Sequence, residues 1–158
     1  MSAVQHLKGC EIFAGLGERQ IKTLAGISQV VKVDEGTRIF GQDEVATHFY
    51  SVGRGSVSLE MTVPGRGGPT MPARIAVVGP GDAFGWSAIV EPYVMTLTAK
   101  AAEPSELLMV ESATLRKLLE TDREINSVVM SNLVKLLAIR LAQTREALIY
   151  ERGWALVG

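Results

Sequence analysis

The sequence is poor in the residues that most often carry chemistry, with one cysteine, Cys10, and two histidines, His6 and His48. No intramolecular disulfide can form, and a zinc site of known ligand spacing cannot be assembled from that set. A surplus of positive charge is also missing. Lys plus Arg number 16 against 17 Asp plus Glu, a net charge of −1, so the excess that a nucleic-acid binder uses to displace counterions is absent. The N-terminal MSAVQHLKGCEIF has neither the basic start nor the apolar run of a signal peptide, and no stretch of about 18 apolar residues is expected to span a bilayer. These absences point to a reducing, cytoplasmic setting without direct nucleic-acid or membrane contact.

What is present suffices for one ordinary core: 158 residues, 47% of them hydrophobic, leave little room for a second domain. Glycine is informative by position. It recurs from Gly36 to Gly85, through Gly41, Gly53, Gly55, the Gly65-Arg66-Gly67-Gly68 cluster, Gly79 and Gly81, and then disappears until Gly153. Turn residues at such intervals, between runs of Val, Ile, Tyr and Thr, predict many short antiparallel strands in a sandwich or jelly roll. We expect strands at 29–33, 37–40, 48–52, 56–63, 73–78, 97–101 and 106–110. Ser56–Val63 alternates polar and apolar residues with period two, and the loop Pro64–Pro72 reads as a hairpin tip.

Helical pattern lies at both ends. Ile12, Phe13 and Leu16 precede a helix expected over 18–27. Ser112 is placed to cap a helix running to Glu120, and Thr121-Asp122-Arg123-Glu124 reads as a capping box for a second one reaching about Tyr150. Leu133–Ala142 is apolar almost all round, whereas a helix on a monomer's surface needs one apolar stripe. A second burial partner is implied. The expectation is a homodimer through the Asp122–Tyr150 helix, the alternative being burial inside its own domain. The expected division is a helical segment 1–28, a β-roll 29–111, helices 112–150 and a tail 151–158, whose Trp154 should dock on the roll, on the partner subunit or over a pocket.

The densest constellation is Val78–Val90, where Gly79-Pro80-Gly81-Asp82 is followed by Phe84-Gly85 and small residues able to start a short helix. Such a turn directs backbone N–H groups outward, as an anion site does; a plain tight turn fits equally well. The order of a short first helix, Phe13-Ala14-Gly15-Leu16, strand–Glu35-Gly36–strand, Tyr50-Ser51-Val52-x-x-Gly55-Ser56-Val57, Gly79-Pro80-Gly81-Asp82-x-Phe84-Gly85, Ser105-Glu106-Leu107-Leu108 and a long closing helix resembles the cyclic-nucleotide-binding domain, the effector-binding half of bacterial regulators such as the catabolite activator protein. The resemblance implies a mainly β jelly roll of about eight strands with flanking helices, and a cassette whose N–H groups hold a cyclic phosphate.

In that family the cassette reads Phe-Gly-Glu, with an Arg further on; the Glu accepts the ribose 2′-hydroxyl and the Arg pairs with the phosphate. Here the Glu position is Trp86, and the Arg position falls at about Met95. The ligand-binding residues implied are Phe84, Gly85, Trp86, Ser87, Ala88, Met95, Thr96 and Arg140. Each lost charged contact is worth about 1.5–3 kcal/mol, so two together weaken affinity on the order of a hundred- to several-thousand-fold or more. Tight cAMP binding is not expected; the effector is a cyclic nucleotide (cAMP or cGMP) or another small molecule, and an uncharged or lipophilic one, or none, fits the apolar replacements as well as a nucleotide does. Arg140 either enters the pocket and restores the charge, or runs to solvent or to a carboxylate at a dimer seam; the second is the expectation.

Enzymatic readings find little support. Gly85-Trp86-Ser87-Ala88-Ile89 begins like a nucleophile elbow but lacks the second glycine and a neighbouring His. His48 and the turn carboxylates Asp34-Glu35 and Asp43-Glu44 have no evident catalytic partner. The expected role is a stand-alone sensor of a small effector that signals to an unidentified partner protein, since no helix-turn-helix follows in the sequence. The rival is a degenerate scaffold whose pocket is closed by Trp86 and Met95.

Overall fold

Eight strands pair in two four-stranded antiparallel sheets, in the orders β1-β8-β3-β6 and β2-β7-β4-β5. The computed structural model describes residues 1–65 and 67–157, the side chains of 152–157 excepted; the expected docking of Trp154 lies outside that description. The strands are β1 Ser28–Val33, β2 Arg38–Phe40, β3 His48–Arg54, β4 Val57–Val63, β5 Met71–Val78, β6 Ala83–Phe84, β7 Thr98–Ala101 and β8 Ser105–Glu111. Four α-helices flank them: α1 Ala3–Gly9, α2 Glu18–Ala25, α3 Ser112–Thr121 and α4 Arg123–Val157. Short 3-10 turns occupy Glu11–Phe13 and Trp86–Ala88. The jelly-roll expectation is met, and every expected strand appears within two residues of its predicted ends.

The differences have local causes. The two-residue β6 is too short to show a period, yet it pairs with Tyr50 and Ser51 of β3. Helix α1 answers to the short first helix that the family resemblance implies, although no bounds were expected for it; Ser2 and Gln5 form its capping box, the Ser2 hydroxyl accepting the Gln5 N–H and the Gln5 side chain accepting the Ser2 N–H. Ser112 is the first residue of α3 and not its cap, because its hydroxyl donates to the Ala46 carbonyl at 2.7 Å. The cap of α4 is Asp122, whose carboxylate accepts the Ile125 N–H at 3.0 Å, while the Thr121 hydroxyl bonds back to the Lys117 carbonyl. Pro72, expected as the end of the hairpin loop, already lies in β5 opposite Thr62.

The core joins both sheets to the helices through Phe13, Phe49, Phe84, Leu107, Leu108, Leu115 and Ile125, all essentially inaccessible. Helix α1 presses onto β3 because position 53 is glycine: a Cβ there would fall 1.8 Å from the His6 ring. The buried His6 Nε2 lies 2.9 Å from Glu106 Oε1, which also accepts from the N-terminal ammonium at 2.9 Å. Those two groups, the ammonium foremost, hold the Glu106 carboxyl down at about 2.

Helix α4 docks by one stripe, Ile125, Val129, Leu133 and Leu136, at the spacing of a single helical face. Asn132 fastens it further, its Nδ2 donating to the carbonyls of Ile12 at 3.0 Å and Ala14 at 2.9 Å. By length and apolarity alone, Arg123–Glu151 also meets the requirement for crossing a bilayer, which corrects the expectation that no such segment exists. In this fold its first half is engaged with the roll.

Candidate functional site

The Gly79-Pro80-Gly81-Asp82 turn closes on itself, the Asp82 carboxylate accepting the Gly79 N–H at 2.9 Å and the Asp82 N–H reaching the Gly79 carbonyl at 3.0 Å. It delivers β6 to the edge of β3 and then Gly85, whose φ of 70° turns the chain into the 3-10 segment Trp86–Ala88. A side chain at Gly85 would press on the Tyr50 ring at 3.1 Å. That ring stacks on Phe84 at 5.2 Å between centroids, and Phe40 packs against both at 5.6 and 6.0 Å. The result is a rigid aromatic floor.

Beside this floor lies a cavity of about 470 Å³. Its apolar wall is Phe40, Leu59, Phe84, Trp86, Met95 and Leu97; polar groups come from Arg74, Ser87, Thr96, Arg140, Gln143, Thr144 and Glu151. Seven of the eight residues expected at the site line it together. Ala88 does not: it is fully buried behind the turn, and its N–H is engaged with the Gly85 carbonyl at 3.1 Å, so it is withdrawn from the expected donors. Met95 is 3% exposed, and its backbone N–H and C=O bond to Glu44 and Asp43, both at 2.8 Å.

The preferred expectation for Arg140 is overturned. Its guanidinium carbon sits 4.7 Å from the centre of the Trp86 ring, and Nη2 donates to the Ala83 carbonyl at 3.4 Å. The reason is helical phase. Residues 140, 143, 144, 147 and 151 line the cavity and share one face with the buried Ile125–Leu136 stripe, so the face that docks α4 on the roll also covers the cavity.

Two further arginines escaped the sequence reading. Arg74 on β5 lines the cavity and donates through Nε to the Ser58 hydroxyl at 3.2 Å. Arg116 on α3 lies 4.0 Å above the Tyr93 ring and donates to the Ala88 carbonyl at 3.3 Å, tying the far end of the 3-10 turn to the helices. No local motif marks either residue. Cys10 offers no nucleophile, since burial pushes its thiol up to about 11.

A sequence profile of the cyclic nucleotide-binding domain matches residues 30–122. The chain belongs to this cyclic nucleotide-binding domain family. A solved structure from Geobacter metallireducens, described as a cyclic nucleotide-binding protein, superposes with a TM-score of 0.76 at 27% identity, covering 89% of this chain and 99% of that one. The catabolite activator protein of Thermus thermophilus gives a TM-score of 0.71 at 27% identity, covering 87% of this chain and 61% of that one. A Rhodopseudomonas palustris protein that carries the name of a potassium channel is 28% identical over 122 residues, 75% of this chain but 28% of its own length. The chain thus spans little more than a quarter of that relative. As a cyclic nucleotide-binding domain it is a regulatory effector-binding module by family, and the cavity between its roll and α4 is where an effector can be held.

Proposed function

We propose that this domain is a cytoplasmic regulatory module that binds a small effector in the cavity beneath α4, has lost tight cAMP and cGMP binding, works as a homodimer along α4 and signals to a partner protein. The observation that carries the reading is the open cavity, one of whose cations, Arg140, comes from α4 and neither of them from the turn. An effector seated there touches the roll and the helix at once, so binding changes how firmly α4 docks. The scaffold alternative needs Trp86 to fill the space, whereas about 470 Å³ stays open. Loss of tight nucleotide binding follows from Trp86 and Met95 standing where the family resemblance places the ribose-binding Glu and the phosphate-binding Arg. The dimer reading rests on Val134, Leu137, Leu141 and Leu148, which are exposed and lie about a quarter turn from the cavity face at heptad-like spacing.

Calorimetry with cAMP and cGMP, alongside light scattering of the purified chain, tests this. No heat at micromolar nucleotide and a mass of two chains is the expected result. Micromolar nucleotide binding, or a monomer at all concentrations, removes the corresponding half of the reading.

A further inference from the structure

The cavity has an unusual distribution of charge, and it specifies a ligand. Its apolar lining, Phe40, Leu59, Phe84, Trp86, Met95 and Leu97, offers no charge to a sugar or a phosphate. Its cations come from β5 and from α4. Arg140 and Arg74 line the cavity against one carboxylate, Glu151, a local surplus of positive charge. None of the ion pairs among the described residues involves Arg140 or Arg74. Among the described residues, the one hydrogen bond of the Arg140 side chain, 3.4 Å to the Ala83 carbonyl, is long and engages one of five N–H donors. A half-buried guanidinium held against an indole, with most of its donors uncommitted to a carboxylate, is prepared for an anion.

Resting on the reading that this cavity holds a small effector, we propose that the effector is a flat, mainly apolar molecule bearing one anionic group, with its ring system among Phe40, Phe84, Trp86 and Leu97 and its anion on Arg140, assisted by Arg74. The apolar walls supply contact area and shape, and the guanidinium on α4 supplies orientation. The reading that set an uncharged or lipophilic effector, or none, level with a nucleotide came from Trp86 and Met95 alone. Arg140 restores the charge and moves it from the turn to the helix.

Two probes with the same ring body isolate the charge: 8-anilinonaphthalene-1-sulfonate, and its neutral counterpart N-phenyl-1-naphthylamine, each titrated by fluorescence into the full chain. In Arg140→Gln the sulfonate is expected to lose about tenfold in affinity and the neutral arene less than about twofold. Arg140→Lys should recover part of the loss, and Arg145→Gln, exposed on the same helix, should change neither probe. If Arg140→Gln does not fold, the native chain decides: rising salt should weaken the sulfonate and spare the neutral arene. Equal response of both probes to Arg140→Gln or to salt, or an equal loss in Arg145→Gln, overturns the anionic ligand while leaving an effector cavity in place. Tighter binding of cAMP than of the sulfonate overturns it as well. No binding of either arene or of cAMP removes the effector reading together with this one.

Discussion

The two halves of α4 share one unbroken backbone and do opposite work. Its first half, through Leu136, buries one stripe in the roll, is capped by Asp122 and is fastened by Asn132. Its second half keeps the same face over the cavity through Arg140 and Thr144, and leaves Leu137, Leu141 and Leu148 exposed at 38%, 59% and 48%. The first half is held by ordinary core packing, whereas in the proposed function the second depends on an effector in the cavity and on a second copy at the exposed seam. A helix that is rigid at one end and conditional at the other is a natural lever for a regulatory domain.

Substitutions along the helix should separate the halves. Leu133→Ala, in the docked stripe, is expected to cost about 2–5 kcal/mol of unfolding free energy, read by urea denaturation; a cost as small as that of a surface change would mean that the first half is not anchored. Asp122→Ala removes the cap and should cost about 1 kcal/mol in the same measurement. Arg116→Ala, which frees the Ala88 carbonyl and the Tyr93 ring from α3, should cost about 0.5–1 kcal/mol and loosen amide exchange around Trp86–Ala88. Leu141→Glu, in the seam, should change monomer stability by less than about 0.5 kcal/mol while reducing the mass in light scattering to one chain. A dimer that survives it would place the interface elsewhere.

Acid offers a control at a cluster outside the cavity lining, between α1 and β8. The Glu106 carboxyl is held at about 2, against an ordinary value of 4.5, by the N-terminal ammonium and His6. Its folded value is depressed, so its stabilisation is complete above the unfolded value and disappears as pH falls from about 4.5 towards 2. Thermal melting should weaken over that window, and Glu106→Gln should flatten this part of the profile. An unchanged profile in Glu106→Gln would assign the acid loss to other carboxylates.

The legible and illegible parts of this protein divide by range. Glycines and β-branched runs located seven strands because turn and alternation signals are local. β6 was missed because two residues carry no period; α1 was expected only as a short first helix without bounds, because its seven residues contain few apolar ones, and the Ser2–Gln5 capping box was the available signal. Gly79–Gly85 and the closing helix were readable for the same local reason, and so was the candidate cavity. The direction of Arg140 was not. In a run that is apolar almost all round, the sequence does not say which face docks, so solvent or a dimer seam was the expectation for an arginine that lies over the cavity.

The amino-acid sequence by itself determined the antiparallel roll, the turn at Gly85 and the long last helix. Only the tertiary structure decided that Arg140 lies over Trp86, that Arg74 joins it from a strand, and that Arg116 holds the Ala88 carbonyl from a position 28 residues away. Local preferences act within a few residues of chain. The chemistry of this cavity arises from the phase with which α4 settles on the roll, which is a property of packing.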